Sequence, residues 1–100
     1  MIKSVPDISI IVTNYNYGSY VQRCLRSCLN QKHVKHEVIL VDDCSTDNSF
    51  EMIAPFKKDI VLLKTPKNSG VSVASNIGIK NARGQFVIRV DADDYVSSDM

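Results

Sequence analysis

Four short apolar runs alternate along the chain with three stretches whose apolar residues recur at helical spacing. Ile8-Ser9-Ile10-Ile11-Val12-Thr13 and Glu37-Val38-Ile39-Leu40-Val41 are nearly continuous β-branched runs of the kind covered on both faces of a parallel sheet. Between them, Ser19-Tyr20-Val21-Gln22 has the spacing of a capping box, and Val21, Cys24, Leu25, Cys28 and Leu29 line one helical face, which predicts a helix to about Gln31. A second helix is predicted from near Asp47, with Phe50, Ile53 and Ala54 on one face. Pro55, which lacks a backbone donor, should end or kink it. Ile60-Val61-Leu62-Leu63 reads as a third strand and Pro66-Lys67-Asn68-Ser69-Gly70 as a loop. Val71, Ala74, Ile77 and Ala82 keep helical spacing up to Gly84, the expected C-cap, and Gly78 inside this helix implies close approach of another element. Phe86-Val87-Ile88-Arg89-Val90 reads as a buried fourth strand.

The order β-α-β-α-β-α-β, with crossovers long enough to return the chain to the same edge, predicts class α/β. The expected architecture is a mostly parallel, Rossmann-like sheet covered by helices. Ligands of such sheets bind outside the carboxyl ends of the strands. There the sequence is polar: Thr13-Asn14-Tyr15-Asn16-Tyr17-Gly18 after the first strand, Asp42-Asp43 after the second, and Asp91-Ala92-Asp93-Asp94 after the fourth.

Composition narrows the partners. With 100 residues and 44% hydrophobic positions the chain is one domain at most, and a formal charge of +1 without a basic run argues against nucleic acid. No stretch approaches the roughly 20 apolar residues of a membrane span, and residues 1–7 lack the apolar core of a signal peptide. Three cysteines, Cys24, Cys28 and Cys44, fit a reducing compartment, so a cytoplasmic location is expected, with membrane association only through regions outside this segment.

The polar sets suggest a nucleotide site. Tyr15 can stack on a planar base, and the Asp43 carboxylate can accept an imide N–H. The competing reading makes residues 13–18 a turn with an Asx cap and Asp42-Asp43 a helix start. Asp91 and Asp93, two apart in an extended segment, point to one side, the arrangement that holds a divalent cation, although an isolated Asp-x-Asp is often only a helix cap. Hard oxygen ligands select Mg²⁺ or Mn²⁺, and a diphosphate fits the positions such ions keep open.

Four blocks, Ile8 to Asn16, Val41 to Asp47, Asn68 to Gly78 and Gly84 to Asp94, resemble family 2 glycosyltransferases in order and spacing. That resemblance implies a partial GT-A fold, with residues 1–100 forming the nucleotide-sugar-binding half of a glycosyltransferase domain and the acceptor-binding half absent. It implies that Thr13, Tyr15 and Asp43 line the pocket for the base, commonly uracil, with Asp42 beside it. Asp91 would face the ribose and diphosphate, and Ala92 and Asn76 belong to the same nucleotide-binding set. Asp93, with Asp91, would hold Mn²⁺ or Mg²⁺, as in a DXD motif, with Asp94 behind them. Many relatives carry Arg where this chain has Ser75, so a phosphate contact assigned to that Arg has no counterpart here. The implied reaction moves a sugar from a nucleotide-sugar, a UDP-sugar, to a hydroxyl of a glycan, lipid or protein acceptor, in cell-wall or polysaccharide biosynthesis. The catalytic general base is expected beyond Met100. A fragment ending there should therefore bind donor but hardly catalyse.

Two rivals fit the pattern less well. A nucleotidyltransferase would show a Gly-rich phosphate loop after the first strand, where Thr13-Asn14-Tyr15-Asn16 stands. A non-catalytic nucleotide-binding or receiver-like regulatory domain is the other; a receiver would carry its acidic pair after the first strand and not after the second. Cys24 and Cys28, at i and i+4 with Leu25 and Leu29, read as core packing, with no zinc signature, and His33 and His36 read as solvated loop residues. Tyr20 falls in a first helical turn and Asp47, Glu51 and Asp59 read as solvated or capping carboxylates.

Overall fold

A computed structural model describes residues 5–98. The expected order of elements is present: β1 (Ile8–Asn14), α1 (Val21–Leu29), β2 (His36–Asp42), α2 (Ser49–Ile53), a 3₁₀ turn (Ala54–Phe56), β3 (Val61–Lys64), α3 (Val71–Asn81) and β4 (Phe86–Asp91). The strands form one sheet in the order β3-β2-β1-β4, every pair parallel. After β3 the chain crosses over β2 and β1 to place β4 on the far side of β1, so the strand order reverses at the β1/β4 boundary.

β1 and β2 sit in the middle, which is why their apolar runs are continuous. Even-numbered residues of both, Ile10, Val12, Val38 and Leu40, pack with Val21, Cys24, Leu25 and Cys28 of α1 and Ile53 of α2. Odd-numbered Ile11, Ile39 and Val41 pack with Ala74 of α3 on the opposite face. Gly78 lets α3 lie against that face, since a Cβ there would collide with the Ile11 side chain and stand 3.3 Å from Val41 Cγ2. The close approach expected at this glycine is the contact of α3 with β1.

Several local expectations are corrected. No capping box forms at α1: the amides of Tyr20 and Val21 donate to Tyr17 O, while Gln22 Nε2 donates to Met52 O at 2.9 Å, tying α1 to the end of α2. The second helix starts at Ser49, two residues after the expected Asp47, and, as Pro55 predicts, it ends at Ile53, giving way to the 3₁₀ turn Ala54–Phe56. α3 ends at Asn81 with Ala82 extended, so Gly84 is not its C-cap. Gly84 instead lies against the Ile8–Ser9 backbone and donates to Ser9 Oγ at 2.8 Å. β4 is only partly buried: Val90 belongs to the core, but Phe86 is 62% exposed and Val87 and Arg89 are exposed, since among the described residues β4 pairs only with β1 and forms the edge of the sheet. His36 opens β2 with its ring nitrogens 3.3 and 3.2 Å from Val34 O and Leu29 O, half-buried and not a solvated loop residue. No described helix is long and apolar enough to cross a membrane.

Candidate functional site

The carboxyl ends of β1, β2 and β4 meet at a cavity of about 380 Å³. Thr13, Asn14, Tyr15 and Tyr17 supply one wall, Asp43 the floor of β2, Asn68, Gly70, Val71 and Ala74 the opposite wall, and Asp91 the β4 side. Register places Thr13 opposite Asp91, and the Thr13 hydroxyl donates to Asp91 Oδ1 at 3.2 Å. The site therefore stands at the β1/β4 reversal of strand order, where open α/β sheets bind ligands.

Asp42 and Asp43 are consecutive and both buried, yet they face different neighbours. Asp42 turns toward β1: Asn14 Nδ2 donates to its Oδ1 at 2.8 Å, and the Ser45 amide and hydroxyl donate to it at 2.9 and 2.6 Å. Asp43 turns toward the β3–α3 loop, accepting from Thr65 Oγ1 at 2.8 Å, Ser69 N at 2.9 Å and Gly70 N at 2.8 Å. Burial pushes the Asp43 carboxyl up, but the Ser69 amide, the Thr65 hydroxyl and the Gly70 amide outweigh it and hold it below the ordinary carboxylate range. Gly70 can present its N–H this way because it adopts φ 93, a left-handed conformation open to glycine. Three bonds leave one of the roughly four acceptor sites of the Asp43 carboxylate unfilled among the described residues.

The β1–α1 and β2–α2 loops are stitched together by side chains. Asn16, at φ 58, accepts through Oδ1 from the amides of Thr46 at 2.7 Å and Asp47 at 3.1 Å. Asp47 returns the contact, accepting from Gly18 N at 2.9 Å while its other oxygen caps α2 through Ser49. Burial would push the Asp47 carboxyl up, but the Ser49 hydroxyl and the Gly18 and Ser49 amides bring it below its ordinary value. Asn14 is buried with Oδ1 unpartnered among the described residues, while Asp42 fixes its amide orientation.

The acidic segment closes differently from the extended alternation expected. Asp91 ends β4, residues 92–93 turn, and the Asp94 amide donates to Asp91 O at 2.9 Å. This turn, and not a strand pleat, brings carboxylate oxygens of Asp91, Asp93 and Asp94 within 4.8 Å of one another. Asp94 thus stands with the other two and not behind them. An all-carboxylate, partly exposed donor set fits a hard divalent cation such as Mn²⁺ or Mg²⁺, and no thiol or imidazole belongs to the group.

Thr13, Tyr15, Asp43 and Asp91 are therefore brought to one cavity, with Asp91 shared between cavity and acidic turn. Asp42 lies beside the cavity lining. Ala92 is fully buried in the core and joins the site through its backbone, donating to Thr13 O at 3.0 Å. Asn76 is exposed on α3, away from the lining. Ser75 is buried, and its hydroxyl accepts from Arg89 Nη1 at 3.4 Å. Asn14 and Tyr17, members of the polar set after the first strand that were not singled out as site residues, also line the cavity. Their position in the loop after the first strand was the available signal, since Tyr15 was found by the same rule.

The sequence profile described as glycosyl transferase family 2 matches residues 9–100. A hyaluronan synthase of Pasteurella multocida is 38% identical over 98% of this chain and 10% of its own length. Among solved structures, S. aureus TarS 1-349 in complex with UDP superposes with a TM-score of 0.84 at 34% identity, covering 93% of this chain and 29% of that one. The mannosyltransferase PcManGT of Pyrobaculum calidifontis in complex with GDP-Man and Mn²⁺ superposes with a TM-score of 0.81 at 26% identity, over 92% of this chain and 29% of that one. The chain spans between 10 and 40% of the length of the curated relatives that head the matches.

Proposed function

The chain belongs to glycosyl transferase family 2 and has the α/β sheet of GT-A glycosyltransferases, and on that premise we propose that it is the donor-binding half of a metal-dependent transferase. The enzyme takes a sugar from a UDP-sugar and passes it to the hydroxyl of a glycan, lipid or protein acceptor. The observation that carries this reading is the continuity of two sites: Asp91 lines the cavity that holds Thr13, Tyr15 and Asp43, and it also belongs to the carboxylate trio.

Each residue has a separable task. Tyr15, 41% exposed at the cavity, offers a ring face for the base. Asp43 has one acceptor site left for the imide N–H, and its bonds to Ser69 and Gly70 fix it in place before ligand arrives. Thr13 orients Asp91 toward the ribose and diphosphate. Asp93 and Asp91 would hold Mn²⁺ or Mg²⁺. When bound, that cation supplies a Lewis acid that neutralises charge on the departing nucleoside diphosphate. The chain spans only part of the length of its curated relatives, and the general base and the acceptor contacts are read as lying outside the matched segment.

Support for a UDP donor comes from the TarS complex, which contains UDP, and for the cation from the Mn²⁺ of the PcManGT complex. The hyaluronan synthase supports a role in polysaccharide or cell-wall assembly. Three free thiols support a reducing, cytoplasmic setting. Isothermal titration of the chain with UDP tests the proposal: heat should rise when Mn²⁺ is supplied, and Asp93→Ala should remove the Mn²⁺-dependent part. A UDP affinity indifferent to Mn²⁺ and to that substitution refutes the metal assignment.

A further inference from the structure

Side chains of α1 and of the residues just after it reach the backbone that follows Asp91. Arg23 Nη2 donates to Asp93 O at 3.3 Å. One turn on, Ser27 Oγ accepts from Val96 N at 3.1 Å, and beyond the end of the helix Gln31 Nε2 donates to Ser97 O at 2.7 Å. The Lys32 amide donates to Ser98 O at 2.8 Å, and the Cys24 thiol points at Asp91 O at 3.7 Å. Arg23 and Ser27 lie one turn apart on α1, and Gln31 and Lys32 follow just past its end, so the helix and the residues that leave it flank the segment 93–98.

Arg23 is fixed in turn. Its guanidinium carbon lies 4.5 Å from the centroid of the Tyr95 ring and 5.9 Å from that of Tyr20, and Tyr20 meets Tyr17 edge to face at 6.4 Å. Tyr17 lines the nucleotide cavity. One exposed arginine therefore links the cavity wall, the ring that follows the acidic turn, and the carbonyl of Asp93. These contacts of Arg23 lie outside the core beneath α1, which Val21, Cys24, Leu25 and Cys28 form with the sheet.

We propose that the row Arg23, Ser27 and Gln31 is the positioning element of the acidic turn, with Arg23, held by Tyr20 and Tyr95, setting where the Asp93 carboxylate stands for the cation. The inference rests on the donor-site reading above. Arg23 touches neither nucleotide nor metal in this role. It acts through the Asp93 backbone, as residues outside the direct ligands of a metal commonly do.

The test compares the unsubstituted chain with Arg23→Ala, Arg23→Lys, Ser27→Ala and Asp93→Ala. Mn²⁺ binding is followed by electron paramagnetic resonance with UDP present, UDP binding by calorimetry with metal chelated, and amide exchange at Val96 and Asp94 by NMR. Arg23→Ala should weaken Mn²⁺ about tenfold, the lower end of the usual effect of such residues, while metal-free UDP affinity stays within about twofold. Arg23→Lys, which keeps a donor and a cation over the rings, should recover most of the loss. Ser27→Ala should speed exchange at Val96. Mn²⁺ affinity unchanged in Arg23→Ala overturns the proposal, as does an equal fall in Mn²⁺ and metal-free UDP affinity, which marks a general loss of structure. Should the unsubstituted chain bind no Mn²⁺, the donor-site reading fails on its own, and unchanged Val96 exchange in Ser27→Ala would then overturn the row's hold on the turn as well.

Discussion

Replacing Asp43 with asparagine isolates one interaction in the pocket wall. The carboxylate accepts from Thr65 and Ser69 through Oδ1 and from Gly70 through Oδ2. Asparagine with its carbonyl at Oδ1 keeps the first two bonds and turns an amide against the Gly70 N–H, so one charge-assisted bond is lost and two donors face each other. A hydrogen bond to a charged group contributes about 1.5–3 kcal/mol. With about 4–8 °C per kcal/mol for a domain of this size, Asp43→Asn should melt roughly 6–24 °C lower at neutral pH. The pH dependence has a definite sign. A carboxyl held below its ordinary value of 3.8 stabilises the fold above that pH, and the contribution disappears as pH falls through the lower folded value. The gap between the two proteins should therefore be full at neutral pH and narrow on acidification below 3.8. Glu37 and Asp47, also held low, titrate in both proteins and cancel in the difference. Circular dichroism melts across this range supply the measurement. Equal melting temperatures at neutral pH, or a gap that does not change with pH, would refute the account of Asp43 as a carboxylate held by three donors.

Three further substitutions or labels probe other parts of the fold. Gly78→Val drives a branched side chain into fully buried Ile11 and Val41 and should cost about 1–3 kcal/mol in urea unfolding; an unchanged midpoint would mean α3 does not rest on β1 as described. Asn16→Gly keeps the left-handed φ of 58 and loses only the bonds to Thr46 and Asp47, whereas Asn16→Ala adds about 1–2 kcal/mol of backbone strain, so stability should fall in the order Asn, Gly, Ala. Equal stability of the two variants would contradict the strain. Ellman's reagent should titrate one of the three thiols quickly in the native chain, exposed Cys44, and all three in denaturant, because Cys24 and Cys28 are buried and the neighbouring Cys28 thiol, with burial, pushes Cys24 up. A second fast thiol would place α1 more loosely on the sheet.

What could be read from the sequence followed from burial on two faces. β1 and β2 show continuous apolar runs because α1 and α2 cover one side and α3 the other, and those runs announced both the strands and the parallel sheet. The same signal misled at β4. A run such as Phe86 to Val90 reports that a strand forms, and it carries no information about which neighbour lies on each side. Thr13, Tyr15, Asp43 and Asp91 were legible because strand ends in such a sheet must converge, so topology alone placed them together. The clasp between the two loops was not legible. Asn16, Ser45, Thr46 and Asp47 are ordinary turn residues in composition, and their partners lie 29 to 31 residues away in sequence. Only the register of β1 with β2 decides which of them meet.

That clasp bears on how mutations in the pocket are to be interpreted. Asp42 ends β2 and Asp43 follows it directly, but one secures the wall built from β1 and the other the wall built from the β3–α3 loop. Substituting either changes the shape of the cavity whether or not its oxygen touches a base. A fall in UDP affinity in Asp43→Asn is therefore ambiguous alone, and the melting temperature separates the causes. If affinity and stability fall together and both recover in a second-site variant that restiffens the loop, Asp43 works as a strut. If affinity remains low after stability is restored, the acceptor site left over from Thr65, Ser69 and Gly70 is where the base binds. The geometry favours the second outcome, because three donors occupy the carboxylate without exhausting it, and the residue that they fix lines the cavity.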